Sequence, residues 1–302
     1  MSEKAKGTLI TLIAGIAWGL SGVSGQYLMD RGVSVDVLTS VRLLVSGVFL
    51  VGLAYLTAKK QLVTVLKSTK ALLGIFVFAM FGLVLNQMAY LQAIYHTNAG
   101  TATVLQYLCP VLVLAYTCLK NREKPSGIEL ISIVLAIVGT FLIATHGKID
   151  ELAVTPIGLF WGIFSAFTYA LYIILPGRLI RQYGSIVVIG LGMLMGGFVV
   201  TFGLQTWQYN LSFDGGIFLG LSGIVGVGTI FAYTAFLKGV SMVGPVNGSL
   251  LASIEPIASV FFAVLLVNER FFLIDIAGMI LILVAVLLIS LKDLQVNKRS
   301  IG

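Results

Sequence analysis

Thr101-Ala102-Thr103-Val104-Leu105-Gln106-Tyr107-Leu108-Cys109-Pro110 and Asn247-Gly248-Ser249-Leu250-Leu251-Ala252-Ser253-Ile254-Glu255-Pro256 share one pattern: small and polar at the start, apolar through the middle, proline at the close. A glutamate follows thirteen residues after each proline, Glu123 in the first case and Glu269 in the second. Near the start of each half, Gly7 and Ala17-Trp18-Gly19 align with Gly158 and Thr168-Tyr169-Ala170. The chain therefore repeats itself and divides near residue 150, into units 1–150 and 151–302.

Both copies of the motif sit within long apolar segments. In the first half these run Thr8–Met29, Val37–Ala58, Ala71–Ile94, Ala99–Leu119 and Ile128–Thr145. In the second they run Ile157–Leu175, Ile186–Gln205, Ile217–Leu237, Val246–Val267 and Leu273–Leu291. A membrane-spanning helix needs about 20 apolar residues, so ten helices use roughly 200 and leave roughly 100 for connections. The first segment follows Lys4 and Lys6 but is too long for a signal-peptide core and lacks a cleavage site, so it stays as a helix. Composition agrees: of 302 residues 58% are hydrophobic, only 10% are charged, and 34 are glycine. That excludes a cytosolic enzyme, a disordered chain and a nucleic-acid binder. An outer-membrane barrel is excluded too, since it needs short alternating strands.

The fold expected is all-α and polytopic, with ten transmembrane helices. Five spans per half is an odd number, so the second repeat enters the membrane upside down relative to the first. Inverted repeats of this kind build secondary transporters, whose substrate site lies near the midplane between the halves. Orientation follows from basic residues in the loops. With the N-terminus inside, one side collects Lys4, Lys6, Lys59, Lys60, Lys67, Lys70, Lys120, Arg122, Lys124, Arg178, Arg181, Lys238, Lys292, Lys298 and Arg299. The other holds only Arg31, Lys148 and Arg270, and Arg42 falls within a span. Both termini are thus expected in the cytoplasm.

The two five-helix repeats, the Trp18-Gly19 pair in the first helix, the early Arg42 of the second, and a proline followed by glutamate closing the fourth and ninth helices carry a resemblance. Together they resemble the drug/metabolite transporter superfamily, EamA type, over essentially the whole chain. The resemblance implies a ten-helix carrier, many of whose relatives export amino acids and related metabolites. One departure is that Asn121-Arg122 precedes Glu123 and Asn268 precedes Glu269, where the family often has glycine. Its expected effect is on the turn at the helix end.

Glu255 is the sharpest chemical signal, an acid midway along the ninth segment with no ionisable neighbour there. A carboxylate at the bilayer centre costs a few kcal/mol, so such residues usually face a cavity or a partner. One reading is a site for a proton or a substrate cation. The other is a structural hydrogen bond steadying the chain where Pro256 removes a helix donor. Arg42 is read as a helix-end anchor or a partner of Asp36, with a gate contact to the other half as the alternative. Gln87 and Tyr90, Thr103 and Gln106, and Thr229 and Tyr233 are paired at helical spacing, as are Ser249, Ala252, Glu255 and Ser259. Trp18 and Tyr169 occupy equivalent positions in the halves. The expected substrate site therefore comprises Trp18, Gln87, Tyr90, Gln106, Tyr169, Tyr233 and Glu255.

Gly15-x-x-x-Gly19, Gly192-x-x-x-Gly196, Gly216-x-x-x-Gly220 and Gly244-x-x-x-Gly248 permit close helix approach. A homodimer is one reading of any such motif; packing within the chain is preferred. His96 and His146 are expected as interfacial residues at helix ends. Cys109 and Cys118, about 13 Å apart along a helix, are read as small apolar side chains without a disulfide. No phosphate loop, metal cluster or nucleophile triad is present, so no cofactor, metal or nucleic-acid partner is expected. The partners expected are a small-molecule substrate and the lipid bilayer. The function expected is alternating-access export of a small polar metabolite across the plasma membrane, without enzymatic activity. The alternatives are uptake of a quaternary ammonium compound such as choline, or a membrane receptor or scaffold that transports nothing.

Overall fold

The computed structural model describes residues 3–122, 124–146, 148, 153–209 and 214–299. Among them ten helices are long and apolar enough to cross a membrane: Ala5–Asp30, Val35–Thr57, Thr69–His96, Ala99–Tyr116, Gly127–Thr145, Pro156–Tyr183, Ser185–Gly203, Gly215–Val243, Leu250–Val267 and Leu273–Lys292. Each overlaps one apolar segment of the sequence. The short helix Lys59–Leu66 lies between the second and third spans, with Leu62 and Val65 turned inward.

Every span of the first half packs on a span of the second. The second packs against the seventh, the fifth against the tenth and the fourth against the ninth. The first packs against the eighth, and the third against the sixth. Small residues set how closely these pairs approach. A Cβ added at Gly19 would meet both the Ala258 Cβ and the Ser259 backbone nitrogen at 2.7 Å, so only glycine allows the first span this close to the ninth. Gly192 and Gly196 lie against Leu83 and Val84 of the third span in the same way. The Gly-x-x-x-Gly motifs at Gly15 and Gly192 thus serve contacts within the chain.

Both copies of the repeated motif are broken helices. The fourth span runs as Ala99–Gln106 and then Cys109–Asn121. The ninth runs as Pro245–Ala252 and then Glu255–Val267. The cause is proline at the second position of each outgoing piece, which has no N–H to continue the ladder. The sixth span breaks likewise around Pro176, into Pro156–Ile174 and Gly177–Tyr183. The third and eighth spans share another irregularity, a π-helical stretch at Phe78–Val84 and at Ser222–Phe231. Helix ends repeat as well: Arg122 and Asn268, where glycine was the family expectation, adopt left-handed conformations with φ of 55° and 57°. Glu123 and the Ser249 side chain lie outside the described residues. Cys109 and Cys118 are both free thiols.

Candidate functional site

Pro256 cannot donate to the carbonyl four residues back, that of Ala252, and this places the chemistry. The Tyr107 hydroxyl, on the break of the fourth span, lies 3.1 Å from that carbonyl and 3.0 Å from Glu255 Oε2. It can donate its single proton to either. The two breaks therefore meet: one supplies the tyrosine, and the other supplies both a freed carbonyl and an acid. The structural hydrogen bond expected of Glu255 is present, and the carboxylate also borders a cavity.

That cavity is lined by Trp18, Gln87, Tyr90, Gln106, Tyr169, Tyr233 and Glu255, all seven expected site residues, together with Arg42. It also takes in Ser21, Asn86 and Tyr172. Aromatic rings form one wall. Trp18 meets Tyr233 edge-on at 5.4 Å, Tyr169 stacks on Tyr172 at 5.8 Å, and the Tyr172 hydroxyl donates to that of Tyr233 over 2.9 Å. Amides form another: Asn86 Oδ1 accepts from Gln106 Nε2 at 3.3 Å and from the Thr168 hydroxyl at 3.2 Å. Ser21 Oγ and Gln87 Nε2 are buried with no partner among the described residues. The cavity volume is about 70 Å³. Ligand pockets usually span about 300–1,000 Å³, so the site is too narrow for a substrate in this conformation.

Arg42 requires a correction. It is only 8% exposed, it borders the cavity, and its Nε donates to Thr229 Oγ1 over 2.8 Å. It neither anchors a helix end nor pairs with Asp36, whose carboxylate accepts from the Tyr209 hydroxyl at 3.3 Å. Six residues separate Asp36 from Arg42, nearly two helical turns, so their side chains leave on different faces. Among the described residues no carboxylate comes within ion-pair distance of the guanidinium. The π-helical stretch of the eighth span presents Thr229, whose hydroxyl also donates to the Ile224 carbonyl at 2.8 Å.

Thr103 and Ser259 were grouped with the site by spacing but lie outside the cavity lining. The hydroxyls of Tyr90 and Thr103 are 2.7 Å apart, those of Thr103 and Ser259 are 3.2 Å apart, and Ser259 donates to the Ala99 carbonyl at 3.0 Å. They form a polar knot joining the fourth and ninth spans. Tyr107, Tyr172, Asn86 and Ser21 were not singled out. Tyr172 follows Tyr169 by three, Ser21 follows Trp18 by three and Asn86 precedes Gln87, so helical spacing offered a signal for each. For Tyr107 the signal was its place two residues before the acid's counterpart in the repeat. Towards the end with few basic residues Gln26 ties the first span to its neighbours: it donates to Glu269 over 2.5 Å and accepts from the Ala99 amide at 2.8 Å. His146 does end a helix, with its Nε2 2.9 Å from Asp275 Oδ1.

Ten spans in two repeats, broken at facing positions around a buried polar cavity, define a multi-pass membrane protein of the carrier type. Comparison with known proteins agrees. The model of the EamA-like transporter family matches residues 5–145 and 156–291, and the chain belongs to that family. Over 294 residues it is 37% identical to an uncharacterized inner membrane transporter of Salmonella typhimurium, YicL, covering 97% of this chain and 98% of that one. It is 23% identical to an uncharacterized transporter of Bacillus subtilis, YcbK, covering 91% of this chain and 90% of that one. With a WAT1-related protein of Arabidopsis thaliana the identity is 24%, over 90% and 86% of the two chains. One crystal structure shares the fold with a TM-score of 0.61 at 17% identity, covering 94% of this chain and 97% of that one. Family and relatives alike point to a membrane transporter rather than an enzyme.

Proposed function

We propose that this protein is a secondary transporter of the plasma membrane that exports an amino acid or a related small zwitterion by alternating access. The observation carrying this reading is the pairing of Arg42 and Glu255, opposite in charge and not bonded to each other, on the wall of one narrow cavity. Moving an uncompensated charge into a low-dielectric site costs on the order of several kcal/mol. A zwitterion adds no net charge and offers each wall its complement: carboxylate to the planar guanidinium, ammonium to the carboxylate. Ser21 and Gln87 supply further hydrogen-bonding atoms, and the aromatic wall takes an apolar side chain. Competition between a proton and the ammonium for Glu255 would couple export to a pH gradient.

The quaternary ammonium alternative draws on the same aromatic wall, which suits a cation. Arg42 counts against it, because a lone cation entering beside the guanidinium is repelled. Counterflow of a radiolabelled panel into proteoliposomes tests the reading, using an amino acid, its decarboxylated amine, its deaminated acid and choline. Flux of the zwitterion alone is expected, with loss in Arg42→Gln and Glu255→Gln variants. Choline or amine flux matching that of the amino acid would overturn the substrate class. Absence of flux for every compound under any ion gradient would overturn transport itself.

A further inference from the structure

A second cavity, of about 810 Å³, lies between the start of the third span and the end of the sixth. Its walls include Leu73, Val77 and Leu175, and Leu73 and Val77 are 62% and 41% exposed on the outside of the bundle. The crevice therefore opens sideways into hydrocarbon, not towards the transport site. Lys70 and Arg178 stand at its polar end. Both are exposed, and neither makes an ion pair or hydrogen bond among the described residues. Around them the sequence carries Lys59, Lys60, Lys67 and Arg181, with no acidic residue in 59–75 or 175–186. The short helix Lys59–Leu66 packs beside Gly177–Tyr183, so this basic surface is continuous.

We infer that this crevice binds an anionic phospholipid. A lipid in the bilayer can reach a cavity walled by exposed leucine and valine. Only one with a negative head satisfies two unpaired cations at its rim. The guanidinium of Arg178 fits two phosphate oxygens side by side, and Lys70 adds a point charge. One acyl chain lies along Leu73, Val77 and Leu175. Basic pockets between transmembrane helices recognise lipid head groups through this combination. The inner wall includes Phe78, whose ring is 6.0 Å from that of Tyr172 in the transport cavity. A lipid seated there presses on the far side of that aromatic wall.

The test titrates the purified full chain in detergent with phosphatidylglycerol or phosphatidylcholine of identical acyl chains, read by native mass spectrometry. At about fivefold per cation near a membrane surface, two cations predict a preference of about 25-fold for phosphatidylglycerol. The K70Q/R178Q variant should abolish that preference, whereas K238Q, at the same end but outside the crevice, should keep it. Gly74→Leu, which fills the crevice beside Leu179 with the cations intact, should weaken phosphatidylglycerol binding at least fivefold. Equal binding of the two lipids, an undiminished preference in K70Q/R178Q, or no effect of Gly74→Leu would each overturn the proposal. Displacement of phosphatidylglycerol by equimolar inorganic phosphate would overturn it too, marking a site for soluble anions.

Discussion

Removing one oxygen atom, in Tyr107→Phe, tests how the broken helices are held. The hydroxyl lies 3.1 Å from the Ala252 carbonyl and 3.0 Å from Glu255 Oε2, and Pro256 cannot supply the helical N–H that the carbonyl lacks. A hydrogen bond to a charged group is worth roughly 1.5–3 kcal/mol, and stranding a buried acceptor costs about as much as its desolvation. The expected loss is about 2–3 kcal/mol, or about 4–6 °C in the unfolding midpoint at roughly 2 °C per kcal/mol for a chain of this size. The assay is thermal unfolding in detergent followed by tryptophan fluorescence, in a double-mutant cycle with Pro256→Ala. Alanine at 256 returns a backbone N–H to the Ala252 carbonyl. Tyr107→Phe should then cost only its share at Glu255, about 1–2 kcal/mol, leaving a coupling of about 1 kcal/mol. Additivity within about 0.3–0.5 kcal/mol is what independent sites show, and it would refute the shared-donor account. So would a Tyr107→Phe protein that melts with the wild type.

Two further outcomes follow from packing. Gly19→Ala places a Cβ 2.7 Å from the Ser259 backbone nitrogen, so it should cost about 1–3 kcal/mol of overpacking and depress counterflow. Gly52→Ala, which meets nothing within 4 Å inside the second span, should gain up to about 1 kcal/mol of helix propensity and leave counterflow unchanged in the same assays. Gln26→Ala removes both the bond to Glu269 and the acceptor for the Ala99 amide, and should loosen the first span against its neighbours at that end. A cysteine placed at Ser21 should then react faster with a membrane-impermeant thiol reagent than in the Gln26 parent. An unchanged rate would dismiss this role for Gln26.

The spans were legible because apolar runs of about 20 residues leave few alternatives in a membrane. The lining of the candidate cavity was legible for a related reason: with so little polarity in the spans, Gln87, Gln106 and Glu255 stood out against their surroundings. Arg42 is the exception: its height along the second span puts it near Asp36, but six residues of helical rotation turn it towards the cavity and Thr229. The π-helical stretches at Phe78–Val84 and Ser222–Phe231 left no sequence pattern, since each amounts to an altered hydrogen-bond register within uniformly apolar residues. Tyr107 was passed over because its role depends on a carbonyl freed in another helix, 145 positions away.

The duplicated backbone and the unduplicated chemistry separate cleanly. Helix breaks before Pro110 and Pro256, π-helical stretches in the third and eighth spans, and left-handed ends at Arg122 and Asn268 all occur twice. The acid does not: the position matching Glu255 in the first repeat is Cys109, and that matching Tyr107 is Ser253. An acid in both copies would place two like charges near one small cavity, and one of them would have to stay protonated. With Cys109 in its place, the first repeat brings the tyrosine that holds the second repeat's acid, and the second span brings Arg42 as the opposing charge. Duplication thus supplies two similar frames, while divergence between the copies leaves one carboxylate, Glu255, and one guanidinium, Arg42, in the lining of the cavity; a zwitterion fits that charge pattern only if the substrate class proposed above holds.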